Sequence, residues 1–265
     1  MKIFEIINDE NKSEIGVLLY YKKKKEFIIE LREDLDEWTA PLLFTKLVKN
    51  KVFTVPRDLA YLWVKERIIP SGRQNISDIL KTHKMQSYDE MKFLEISRGR
   101  CSQDSMYIKR VYELPEYILE RRKKLVTECV VCENHVLLCF FADGAVKKIE
   151  LEHLKDVDGI SKVLRNEKLY KSCQVGTGGY SVTFNDSIDI PASVLYEKGM
   201  SIPLSRNDFL CFARNNILDT TESCVLLECS RQNLAYMVKQ EQLVPVKNDM
   251  KGNLYLKGDV IKNEW

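Results

Sequence analysis

The run HVLLCFFADGAVKKIEL, residues 135–151, limits most strongly what this chain can fold into. Two segments rich in β-branched and aromatic residues, HVLLCFF and VKKIEL, are separated only by the four residues Ala142 to Ala145, which include Asp143 and Gly144. Asp-Gly between such runs predicts an antiparallel hairpin, because glycine accepts the positive φ that the turn needs. TECVVC, just before it, extends the β pattern. LKDVDGISKVLRNEKLYKSC then reads as helical or turn-rich, GTGGYSVTFNDSIDIP as a second strand pair, and ASVLYEKG as a short helix stopped by Gly199. Hairpins and short helices in one segment predict a small antiparallel-sheet α+β domain over 125–205.

The segment before it, 1–124, opens with three strand-like runs: KIFEII, IGVLLYY and EFIIEL. Lys22 to Lys25 join the second and third and read as a solvated hairpin tip. After the acidic EDLDEW the period becomes helical, in LLFTKLV, LAYLWVKERI, ISDILKTH and YDEMKFLEI. Asp58, two residues after Pro56, is placed to cap the second of these. Strands followed by helices predict a separate α+β domain, ending in the charged ERRKK of 120–124.

A chain of 265 residues suits two or three domains. Apolar residues make up 45% and charged residues 30%, the balance of a globular chain rather than a disordered one. No apolar run approaches the length of a membrane span, and the N-terminus lacks the apolar core of a signal peptide, so a cytoplasmic address with no membrane partner is expected. Eight cysteines at irregular spacing fit that address as reduced thiols. The net charge of +2 hides a gradient. Residues 1–124 carry 25 basic against 20 acidic side chains, 125–208 carry 9 against 12, and 209–265 carry 7 against 7.

The last segment contains SRQNLAYMVKQEQLVPV, residues 230–246. Ser230 is placed to cap a helix through its hydroxyl. Leu234, Met237 or Val238, and Leu243 recur at helical spacing and would face Leu226 and Leu227. Arg231, Gln232, Asn233, Tyr236 and Lys239 are left outward or partly outward. Arginine can pair bidentately with guanine, and glutamine or asparagine with adenine. Lys239, Lys247, Lys251 and Lys257 could reach phosphates. The tripeptide Arg-Gln-Asn recurs in RQNISDIL, 73–80, where no turn unit precedes it, so by itself it marks only a helix start.

Residues 209–265 resemble the small winged helix-turn-helix of excisionase-like and mercury-regulator-like DNA-binding proteins, over about 45 residues. The resemblance implies a first helix in ESCVLLE begun by Thr220 or Thr221, a turn holding Cys229, and a recognition helix from Ser230. LVPV would then lead to a β-wing with NLYLKGDV as its return strand. Glu228 stands where that family's turn usually has glycine, and Glu222 and Glu241 lie near the expected contact face. VLLCFFADGAVKKIELEHL, LRNEKLYKSCQV and GGYSVTFNDSIDIPASVLYEKG resemble a small bacterial domain-of-unknown-function family, whose members often lie beside toxin-like or regulatory genes. That resemblance implies an antitoxin-like or regulatory role and no established activity.

Other constellations read more plainly. Cys129 and Cys132 form C-x-x-C inside a β-like run with no second ligand pair, so they read as buried thiols on opposite faces. His83, His135 and His153 are isolated. GTGGY lacks the Lys-Ser/Thr of a phosphate-binding loop and reads as a tight turn. RGRCSQDSMY, 98–107, is an unusually polar loop; Arg98 and Arg100, with Arg67 and Arg73, form a candidate partner- or anion-binding surface. No triad, paired carboxylates or metal cluster is visible. The expectation is a non-enzymatic, sequence-specific regulator of double-stranded DNA, without cofactor or metal, an autorepressor of antitoxin-like type. The alternative is a protein-binding inhibitor or adaptor using the helix-turn-helix as an interaction module. A homodimer would double the DNA contacts, though nothing in the sequence marks its interface.

Overall fold

The computed structural model describes residues 1–203, 206–247 and 252–263, and its class is α+β, with antiparallel sheets and short helices. The chain divides into two compact units, Met1–Ile118 and Leu119–Trp265. The second holds both the 125–205 and the 209–265 stretches. Among the described residues no helix is long and apolar enough to cross a membrane.

In the first unit, β1 (Lys2–Asn8), β2 (Glu14–Tyr21) and β3 (Glu26–Leu31) form an antiparallel meander. Lys22 to Lys25 form its exposed tip. Helices α1 (Thr45–Lys49), α2 (Arg57–Lys65), α3 (Ile76–Thr82) and α4 (Glu90–Ser97) follow. β4 (Met106–Val111) then returns to pair with β1, giving the order β3-β2-β1-β4. Phe4, Ile6, Leu18, Phe27 and Ile29 from the sheet pack with Trp63 and Val64 of α2 and with Met91 and Leu94 of α4. The buried Glu30 accepts from Thr54 Oγ1 at 3.0 Å, which satisfies a carboxylate that burial would otherwise penalise. Asp58 does not cap α2. Pro56 holds the cap position without a side-chain bond, and Asp58 lies within the first turn, where a negative charge still suits the helix dipole. Helix α5 (Glu116–Arg122) crosses from the first unit into the second.

In the second unit, β5 (Val126–Val131), β6 (Val136–Phe141) and β7 (Val146–Glu150) form the predicted antiparallel sheet. Gly144 takes φ 85° at the hairpin, and Asp143 Oδ1 accepts from the Ala145 amide at 2.9 Å. Asp143 itself is not in the left-handed region, so the turn uses one glycine conformation rather than two. Then come α6 (Ile160–Leu164), α7 (Glu167–Lys171), and a second sheet of β8 (Cys173–Val175), β9 (Ser181–Phe184) and β10 (Ile188–Pro191). α8 (Ala192–Lys198) leads to β11 (Met200–Ser201), which pairs with β7. Leu137, Phe141, Ile149, Val182, Phe184 and Leu195 share one core.

Helix α9 (Arg206–Asn216) packs on β5, with the Phe212 ring 4.7 Å from that of Phe140. After β12 (Ile217–Leu218) come α10 (Thr220–Leu226) and α11 (Arg231–Lys239). β13 (Tyr255–Leu256) pairs with β12, and α12 (Lys257–Lys262) follows. Leu227, Leu234, Leu243, Tyr255 and Val260 form the core of this part. α12 packs on α10 and on β5. There the Gly258 amide donates to the buried carboxylate of Glu128. A Cβ at Gly258 would run into that carboxylate and the Thr127 carbonyl, so the close approach requires glycine.

Candidate nucleic-acid interface

The start of α10 is built by Asp219. Its Oδ1 accepts from the Glu222 amide, and Glu222 Oε2 accepts from the Asp219 amide, both at 2.8 Å. This reciprocal capping box moves the cap one residue ahead of the expected Thr220 or Thr221. It also fixes Glu222, an acid expected near the contact face, as part of the scaffold. The helix ends in a Schellman turn: the Cys229 amide donates to the Cys224 carbonyl at 3.0 Å and the Glu228 amide to that of Val225 at 3.2 Å. The residue between must be left-handed, and Glu228 has φ 50°. The glycine that Glu228 replaces is therefore a matter of backbone geometry.

Ser230 caps α11 as expected, its Oγ accepting from the Asn233 amide at 3.2 Å. Leu234 is buried, Met237 and Val238 are half-buried, and these turn inward. Gln232, Tyr236 and Lys239 lie at i, i+4 and i+7 on an exposed stripe, with Arg231 and Asn233 exposed at the capped end. Arg231 Nη2 donates to Thr221 Oγ1 at 3.2 Å, which ties its guanidinium back to α10.

The predicted wing differs. Lys247 is exposed and forms an isolated bridge with Leu254, but the expected return strand NLYLKGDV is a strand only at Tyr255 and Leu256, and those pair with β12. From Lys257 the chain is helix, because Gly258 and Val260 are drawn inward against β5 and the helical core. Lys257 is half-buried at the first position of α12 rather than out on a wing. Lys251 lies outside the described residues.

The four arginines singled out in the first unit do not form one surface. Arg67 is 4% exposed. Its guanidinium sits 3.8 Å from the Trp63 ring centre, donates to the Trp63 carbonyl at 3.0 Å and pairs with Asp104. It is thus a packing residue that holds the 98–107 loop to α2, not a surface one. Arg73 is exposed on the turn before α3. Arg98 takes a left-handed conformation at the end of α4, and its carbonyl accepts from the Ile108 amide at 2.8 Å. Arg100 Nη1 lies 3.0 Å from Asp9 Oδ2. The Lys12 ammonium, followed by this guanidinium, holds the Asp9 carboxyl below the usual carboxylate range.

Two polar features were not legible in the sequence. Burial pushes the Glu128 carboxyl up to about 7, against the opposing Gly258 amide. Cys129 lies across the ladder from Cys139, with sulfurs 3.7 Å apart, and 3.6 Å from the Cys173 sulfur. The neighbouring thiols favour the charged form of Cys129, while Cys139 and Cys173 are held protonated. Cys132 falls just past β5, and its sulfur lies 3.9 Å from the Val130 carbonyl, whereas the sulfur contacts of Cys129 are with Cys139 and Cys173. Cys139 and Cys173 come from other strands, which no spacing within C-x-x-C could signal. Among the described residues no group of histidine, cysteine and acidic side chains is arranged to hold a metal ion.

Comparison with protein-family profiles, with curated proteins and with solved structures finds no match for this chain, so a functional reading rests on the residues and geometry above.

Proposed function

We propose that this chain is a sequence-specific, DNA-binding transcriptional regulator without catalytic activity of its own, with α11 as its reading helix. The observation that carries the reading is the exposed, Ser230-capped end of α11, where Arg231, Gln232 and Asn233 stand clear of a buried Leu234. A major-groove helix needs base-reading side chains at its N-terminal end and an apolar face turned away. Arg231, Gln232, Asn233 and Tyr236 read base edges; Ser230, Lys239 and Lys247 contribute phosphate contacts, while Lys257, half-buried in α12, does not. An autorepressor of antitoxin-like type is the specific form.

The direct test is a gel shift on the DNA upstream of the chain's own reading frame, at low and moderate salt. A retarded complex is expected, and Arg231→Ala and Asn233→Ala should each weaken it about tenfold or more while melting as the parent does. Arg73→Ala should change nothing. Absence of a complex at low salt, or parental binding by both variants, would sink the reading.

A second reading, a protein-binding inhibitor or adaptor, draws on exposed apolar side chains around the same helices: Val225, Tyr236, Val244 and Val246, each more than half exposed. The equal count of acids and bases in 209–265 also suits a protein partner better than a phosphate backbone. Val225→Asp abolishing capture of a host protein, with no DNA complex formed, would decide for it.

A further inference from the structure

We infer that the first unit binds a small molecule bearing clustered phosphate groups, in a cleft between the end of α4 and the edge strand β4. The cleft has a volume of about 500 Å³, and Phe4, Arg98, Arg100, Tyr107, Lys109 and Arg110 line it. Glu95 also lines it, but its carboxylate already sits 2.7 Å from Lys2 Nζ. Four cations therefore line the cleft; Arg100 and Lys109 are paired with Asp9 and Glu5, and the Glu95 carboxylate with Lys2, which leaves Arg98 and Arg110 without a carboxylate partner among the described residues.

The arginines are held in a way that leaves donors unspent. The Arg110 guanidinium lies 4.9 Å from the Phe4 ring centre and 5.7 Å from that of Tyr112. Arg100 lies 4.9 Å from the Tyr107 ring centre. Stacking occupies the face of a guanidinium and leaves its in-plane N–H groups to meet an oxyanion. Nη1 of Arg110 is buried and meets no acceptor among the described residues. A buried donor left without a partner is costly, and an oxyanion in the cleft would relieve that cost. Arg98 likewise has no carboxylate partner among the described residues, whereas Arg100 meets Asp9 and Lys109 lies 3.5 Å from Glu5.

The plainer account is that Arg98 and Arg100 offset the dipole at the end of α4. That account covers two cations. It does not cover Arg110, which sits near the end of β4 opposite Phe4, or the open volume beside it. The volume is that of a small-molecule site. Several guanidinium groups around one space suit several doubly charged groups better than a single carboxylate, and the Tyr107 ring offers an apolar wall.

The test is calorimetric titration of the full chain with inorganic triphosphate and with adenosine triphosphate, at fixed ionic strength set with chloride. Saturable binding is expected, weakened about tenfold or more by Arg98→Ala and by Arg110→Gln. Arg110→Lys, which keeps charge but loses the fork, should recover only part of it. Lys23→Ala combined with Lys24→Ala, at the exposed tip of β2 and β3, should bind as the parent does. Tighter binding of the nucleotide than of triphosphate would assign the aromatic wall to a base; equal binding would assign the site to phosphates alone. Binding unchanged in both arginine variants, or lost equally in the lysine-tip variant, would overturn the proposal. So would a short oligonucleotide that binds more tightly than triphosphate through the same two arginines.

Discussion

The tripeptide Arg-Gln-Asn occurs twice, and its two settings differ in almost every physical respect. In α11 it follows a serine that caps the helix, occupies the first turn, and precedes a leucine that is 1% exposed. At α3, Arg73 and Gln74 lie before the helix, Asn75 is the cap residue without a side-chain cap bond, and no residue of α3 is buried. The same three residues are thus a presented surface in one place and a turn in the other. What separates them is the cap in front and the core behind, not the tripeptide.

The largest expected difference between the two helices is in burial. Leu234→Ala should destabilise the second unit by about 3 kcal/mol, because a fully enclosed side chain leaves a cavity. Leu80→Ala in α3 should cost less than about 1 kcal/mol. Equal losses in urea unfolding would erase the contrast.

The helical part around α11 also has a buried tie to the sheet, through Gly258 and Glu128, that α3 lacks. The Glu128 carboxyl titrates near 7 when folded against an ordinary value of 4.5. Between those pH values the folded chain holds more protons than the unfolded one, so stability declines as pH rises through that window. Glu128→Gln should remove the decline, with a gain approaching about 3 kcal/mol at pH 8 and little change at pH 4. A melting temperature equally sensitive to pH in parent and variant would contradict this.

A smaller contrast lies at the caps. Ser230→Ala should cost about 1 kcal/mol, and Asn75→Ala less than about 0.5 kcal/mol, in the same unfolding assay. The last expected effect is a gain. Glu228→Gly should stabilise the turn before α11 by up to about 1 kcal/mol, since glycine takes the left-handed conformation without penalty. A loss of stability there would mean the carboxylate has a compensating role.

The hairpin at Asp143-Gly144, the lysine tip, the α+β class and the Ser230 cap were legible because each depends on residues a few positions apart. A positive φ at Gly144 or a hydroxyl three residues from an amide is a local requirement, and the sequence states it locally. The Glu228 position shows a partial case. The missing glycine was visible, but only the Schellman geometry shows that the backbone still takes the conformation glycine would supply.

The return strand failed for the opposite reason. NLYLKGDV alternates well enough for a strand, yet Gly258 is claimed by Glu128, 130 residues earlier, and Val260 by the helical core. Arg67 failed likewise: its partner Asp104 lies 37 residues away, and burial over Trp63 removes it from the surface.

By itself, then, the sequence determined the periodicities, turns and caps, and so the class of fold and the composition of the helix end presented by α11. Only the tertiary structure decided which charges remain available. It spent Arg67 on packing, moved Lys257 to the start of a helix packed on β5, set Glu128 in the interior, and gathered Arg98 and Arg110 beside Phe4. Burial and charge pairing depend on residues far apart in the chain, and no local pattern carries that information.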